Sequence, residues 1–104
     1  MGEEKKTAVY LMVWNSELEP RDKGSYDRPI EAQKKLCLDF LKSKGEDTAQ
    51  VTFYTSRRDL FTDIEKDVVG RLVVRDLKRL GSDDEIEGIL FELKMNGIQL
   101  LTVE

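Results

Sequence analysis

The hydrophobic and polar positions fall into short runs of two kinds, continuous or alternating stretches that suit strands and stretches at helical spacing that suit helices. Ala8-Val9-Tyr10-Leu11-Met12-Val13-Trp14 is continuously apolar and rich in β-formers, the pattern of a strand buried on both faces of a sheet. Residues 1–6 ahead of it are charged and read as a frayed leader. From Asn15 to Asp27 (NSELEPRDKGSYD) polar residues, Pro20 and Gly24 predict a loop of about a dozen residues, a length that is often functional in a compact domain. Asp27 and Pro29 mark a helix start. Ile30, Leu36, Cys37, Phe40 and Leu41 then share one face until Gly45 supplies a left-handed stop.

Gln50-Val51-Thr52-Phe53-Tyr54 predicts a second strand, and Asp59 to Lys66 a short helix with Leu60, Phe61 and Ile64 inward. Val68 to Val74 ends in another buried-type run, and Ser82-Asp83-Asp84-Glu85 is a capping box that opens a third helix. Ile86, Ile89, Leu90, Phe91 and Leu93 form its expected inner stripe, Asn96-Gly97 ends it, and Ile98 to Val103 is a last strand. Strands alternating with helices imply right-handed crossovers and a three-layer α/β/α sandwich around a largely parallel sheet of at least four strands. Ligands in such sheets bind beyond the carboxyl ends of the strands, here the loops 15–27, 55–58 and 76–81.

Composition narrows the chemistry. The 104 residues suit one domain, so residues 7–104 are expected to fold as a single unit. The longest apolar run is far below the roughly 18 to 20 residues of a membrane span, and the N-terminus lacks the apolar core of a signal peptide, so the chain reads as cytoplasmic with no membrane partner. With a single cysteine, Cys37, and no histidine, a zinc site, an intramolecular disulfide and a Ser-His-Asp triad are excluded. A net charge of -4 repels polyanions at long range and confines any nucleic-acid contact to a local patch.

Neither GxGxxG nor GxxxxGK[ST] occurs, so no cofactor is expected. Asn15, Ser16, Glu17 and Glu19 with Asp76 and Lys78 fit a phosphate-accepting magnesium site poorly, because no acidic pair ends the first strand. Lys78-Arg79-Leu80-Gly81-Ser82 places two cations at a helix start, an arrangement that can hold an anion. Asp83, Asp84 and Glu85 occupy the same turn, however, and ordinary capping is favoured. Arg57 and Arg58 form a second small basic spot, balanced against a solvated turn. Cys37 reads as a packing residue rather than a reactive thiol.

Leu72-Val73-Val74-Arg75-Asp76-Leu77-Lys78-Arg79-Leu80-Gly81-Ser82, followed by Gly88 to Leu101, resembles the catalytic domain of the serine recombinases, the resolvase and invertase family. That family has a hydrophobic strand leading into Asp-Arg-Leu-Gly/Ser-Arg, then a helix and a Gly-Val-x-Leu strand. Ala8-Val9-Tyr10 resembles its opening Tyr-x-Arg-Val-Ser strand, Ile30-Glu31-Ala32-Gln33 the start of its first helix, and Arg57 with Leu60 and Ile64 its Arg-Pro-x-Leu segment. These pieces come in the family's order and cover nearly all of residues 7–104.

The departures bear on activity. The family's nucleophilic serine falls on Trp14, the arginine before it on Met12, the motif's aspartate on Lys78 and its second arginine on Ser82. Arg57 and Arg79 remain as phosphate-binding remnants, with Arg58, Lys78, Trp14 and Ser82 as neighbouring candidates. Ser16 is the alternative nucleophile. The chain also stops where family members continue into a dimerisation helix and a helix-turn-helix domain. The resemblance therefore implies a resolvase-like domain without strand-exchange activity that acts, if at all, as a protein-interaction module, as a homo-oligomer or with a protein partner. The alternative is a weak DNA-binding protein or residual site-specific recombinase of a mobile element. On this reading Trp14, Arg57 and Arg79 line one concavity, Trp14 is largely buried as an apolar plug, and the arginines are solvated or paired to Asp76, Asp83 or Glu17.

Overall fold

The computed structural model describes residues 5–45 and 51–104. Gln50 of the expected second strand and residues 1–4 of the expected leader lie outside them. The chain runs β1 (Lys6–Tyr10), α1 (Asp27–Ser43), β2 (Val51–Tyr54), α2 (Arg57–Glu65), β3 (Val69–Val74), α3 (Asp83–Met95) and β4 (Gln99–Thr102), with 3-10 turns at Asn15–Glu17, Pro20–Asp22 and Leu77–Arg79. The four strands form one sheet in the order β2-β1-β3-β4, and every pairing is parallel.

Alternation along the strands sorts the core into two layers. Ala8, Tyr10, Leu72 and Val74 point to one face, where they pack with Leu60 and Ile64 of α2 and Ile89 and Leu93 of α3. Val9, Leu11 and Val73 point to the other, where Cys37 and Leu41 of α1 cover them. The sheet is thus sandwiched between one helix and two. The chain moves one way along the sheet from β1 to β2 and the other way from β2 through β3 to β4. Right-handed crossovers then place α1 on one face and α2 and α3 on the opposite one. Each fully buried Leu, Ile or Val in these layers contributes about 1.5–3 kcal/mol relative to exposure, which outweighs local propensity in deciding where the elements sit.

Several expectations are corrected. β1 starts at Lys6, the last residue assigned to the leader, whose N–H donates to the Val68 carbonyl at 2.9 Å. It ends at Tyr10, so the apolar run continues as irregular chain through Leu11 to Trp14. Leu11 N–H still reaches the Tyr54 carbonyl at 2.7 Å, but β2 stops there and offers Met12 no further partner. Helix α2 begins at Arg57, two residues earlier than expected, because Ser56 caps it by accepting from Asp59 N–H at 3.3 Å. Leu36 and Leu90 are exposed rather than inward, and Phe91 is 64% exposed. Phe91 lies two residues, about 200° of helix, from the buried Leu93 and so points away from the sheet. No helix among the described residues is long and apolar enough to cross a membrane.

Candidate functional site

The switch point of the sheet lies between β1 and β3, whose following segments leave in opposite directions and open a crevice at the carboxyl edge. A concavity of about 640 Å³ occupies that place, lined by Tyr10, Met12 and Trp14 from the first segment, Lys78 to Asp83 from the second, and Arg57 from α2. The expected convergence of Trp14, Arg57 and Arg79, with Lys78 and Ser82 beside them, is present in the geometry. Arg58 does not line it, and Ser16 sits exposed on the Asn15–Glu17 turn.

Arg79 is the centre of the site, and its side chain is only 4% exposed. Its Nε donates to Asp76 Oδ2 at 3.2 Å, Nη1 donates to the Met12 carbonyl at 2.8 Å and to Glu17 Oε1, and Nη2 donates to Glu17 Oε2 at 3.2 Å. Four of the five guanidinium N–H groups are thereby committed inside the protein. The guanidinium carbon also lies 4.1 Å from the centroid of the Trp14 indole, a cation–π stack. Trp14 is consequently half-buried, not a largely buried plug, because the buried arginine fills the floor and the indole lies over it.

Glu17 completes the closure. Its Oε1 accepts from Trp14 N–H at 3.0 Å and its Oε2 from Arg75 Nη1 at 3.4 Å. Partial burial pushes the Glu17 carboxyl up, but the hydrogen bonds from Arg79 and Trp14 N–H and the charges of Arg79 and Arg75 outweigh it, so the group titrates below the ordinary glutamate value. Burial likewise works against the Arg79 cation, and its bonds to Glu17 and Asp76 more than offset that. Asp76 Oδ1 is buried and accepts no hydrogen bond from the described residues.

The second arginine is held elsewhere. Arg57 Nη2 pairs with Glu85 Oε2 at 3.0 Å and its guanidinium stacks at 5.5 Å over Phe61. The expected partner Asp83 is not used. Glu85 has moved into that role because its other oxygen accepts from Ser82, from the backbone N–H at 3.2 Å and from the hydroxyl at 3.0 Å. Those bonds, with the Arg57 charge, lower its pKa. Ser82 is thus the N-cap of α3, tied to Glu85. Lys78 and Arg58 are exposed and pair with no carboxylate among the described residues.

Sequence reasoning missed two contributors. Gln33 is buried on α1 and holds Met12 by its backbone, and Arg75 shares Glu17 with Arg79. Gln33 stands inside the Ile30–Gln33 segment that carried part of the family resemblance, the only signal that singled it out. Cys37 is fully buried, and burial pushes its thiol up to about 11, as befits a packing residue.

As assembled, the crevice presents a guanidinium with four of its five N–H groups committed and an exposed lysine, and no hydroxyl hydrogen-bonds to either Arg57 or Arg79 among the described residues. No protein-family model and no curated protein sequence matches the chain. The fold is similar to that of the C-terminal catalytic domain of ISC1926 TnpA, an IS607-like serine recombinase, with a TM-score of 0.69 at 17% identity over 95% of this chain and 67% of that one. The chain therefore has the three-layer fold of a serine recombinase catalytic domain.

Proposed function

We propose that this chain is a resolvase-fold domain that does not exchange DNA strands and that works by associating with protein. The observation that carries the reading is the Arg79–Glu17 pair. Phosphoryl transfer to a serine needs cations aimed at the phosphate oxygens as negative charge develops, and removal of one such stabiliser commonly costs about 10²- to 10³-fold in rate. Here the buried arginine is already neutralised by Glu17 and Asp76, Arg57 is turned to Glu85, and an indole stands where the resemblance puts the nucleophile. Ser16, the alternative nucleophile, lies on an exposed turn and hydrogen-bonds to neither arginine.

Incubation with supercoiled plasmid followed by denaturing electrophoresis tests the chemistry. No covalent protein–DNA adduct is expected, and an adduct that disappears in Ser16→Ala overturns the reading. Sedimentation together with affinity capture from lysate tests the association, and a strict monomer that captures no protein sinks that half.

A weaker second reading is DNA contact through Arg58 and Lys78, the two cations at this edge that stay exposed and unpaired among the described residues. Two phosphate contacts predict weak binding with a salt slope of about -2. Absence of a mobility shift with duplex DNA at low salt removes it.

A further inference from the structure

We propose that the groove between α2 and α3 is a docking surface for a basic amphipathic helix of another protein. This rests on the reading of the domain as an association module and specifies the partner's chemistry.

The groove, about 480 Å³, is made by two ridges that run along facing helices. Arg57, Phe61 and Glu65 follow one another at four-residue spacing on α2, and Asp84, Gly88 and Glu92 do so on α3. The floor is apolar, formed by Phe61 and Ile89. Gly88 leaves it open, since a Cβ at that position would meet nothing within 4 Å. The same face of α3 continues beyond the groove through Phe91 and Met95, at i+3 and i+7 from Gly88, and these are 64% and 70% exposed. Two large apolar side chains next to an apolar trough are uncommon on a surface that binds nothing.

Charge decides what fits. Glu65, Asp84 and Glu92 stand on the rims without an ion pair among the described residues, while Glu85 is matched to Arg57. An acidic rim repels nucleic acid and anionic lipid, and it sets carboxylate against carboxylate if a second copy docks through the same face. A partner helix that inserts apolar residues between the ridges and carries Lys or Arg on its flanks satisfies both features.

The test uses a fluorescently labelled synthetic helix of about 15 residues, long enough to run the length of α3 at 1.5 Å per residue, with Leu on one face and Lys on the other. Two controls are a scrambled peptide of the same composition and a Glu-for-Lys counterpart. Fluorescence anisotropy with the full chain is expected to show salt-sensitive binding of the Lys/Leu helix alone. Gly88→Arg, which fills the trough and reverses its charge, and Phe91→Ser should each weaken binding about tenfold. Both positions are exposed, so thermal denaturation is expected to match the parent chain. No binding of the Lys/Leu helix, equal binding of the scrambled peptide, or unchanged affinity in both variants overturns the proposal. So does a dimer in sedimentation that Gly88→Arg dissolves. If Gly88→Arg still captures the same proteins from lysate as the parent chain, the association reading stands and the groove falls.

Discussion

The side-chain amide of Gln33 closes on the backbone of Met12 from both sides: Oε1 accepts from the Met12 N–H at 2.9 Å and Nε2 donates to the Met12 carbonyl at 2.9 Å. The amide does for one residue what a neighbouring strand would have done, and it does so from α1, 21 positions away. Arg79 Nη1 bonds to the same carbonyl at 2.8 Å, so Met12 ties the first crossover helix to the charged centre of the crevice.

Gln33→Leu leaves the part-buried Met12 N–H without an acceptor and weakens the hold on its carbonyl. A buried group stripped of its partner costs about 1–3 kcal/mol, which for a domain of this size lowers the Tm by on the order of 10 °C. Thermal denaturation monitored by circular dichroism is the check, and a Tm within a degree or two of the parent chain contradicts the clamp.

Glu17 links stability to acid. Its folded pKa is depressed, so the stabilisation it brings is fully present above the unfolded value near 4.5 and is lost as pH falls through the folded one. Trp14 is the one tryptophan in the chain and lies on the guanidinium that Glu17 neutralises, so its emission reports this group. The emission is expected to change with a midpoint below 4.5, and Glu17→Gln should abolish that transition. A midpoint at or above 4.5 contradicts the arrangement.

Releasing Glu17 should also expose the cations. With the carboxylate neutralised in Glu17→Gln, Arg75 and Arg79 lose their shared counter-charge, and retention on a heparin column at low salt is expected to increase. Identical elution of the two proteins would show that the guanidinium is unreachable even when unpaired.

Asp22 is a second group that links stability to acid. Arg28 binds it with two parallel bonds, Nε to Oδ1 at 2.7 Å and Nη2 to Oδ2 at 2.9 Å, and Oδ2 also accepts from Glu19 N–H at 2.8 Å. The hydrogen bonds from Arg28 first, and then that backbone donor, hold its pKa at about 2 against an ordinary 3.8. The folded value is depressed, so this contribution is complete above about pH 4 and disappears as pH falls toward 2. Urea titrations between those limits should show a slope shallower by about one proton in Asp22→Asn.

Cys37 tests the layer between α1 and the sheet. Fully buried and with its thiol raised to about 11, it should react with a thiol reagent at pH 8 at least about 10²-fold more slowly in the native protein than in denaturant. Equal rates would mean that α1 does not cover this face of the sheet.

The order of strands and helices, the sheet's parallel character and the place where a site would form could all be derived from the sequence, because each rests on a local period. Val9 and Leu11 alternate with Ala8 and Tyr10, Cys37 and Leu41 repeat by a helical turn, and βαβ connections have one hand. The boundaries were less legible. The apolar run through Trp14 gives no sign that β1 ends at Tyr10, and Leu36, Leu90 and Phe91 look as apolar as their buried neighbours. The electrostatics of the site were decided by tertiary structure alone. Glu17 and Arg79 are 62 residues apart, and Arg57 chooses Glu85 over Asp83 only because Ser82 turns that carboxylate toward it. Local pattern reports which way a side chain faces on its own element; which charge it meets depends on how the elements are stacked, and a buried guanidinium must meet its counter-charge there or not be buried at all.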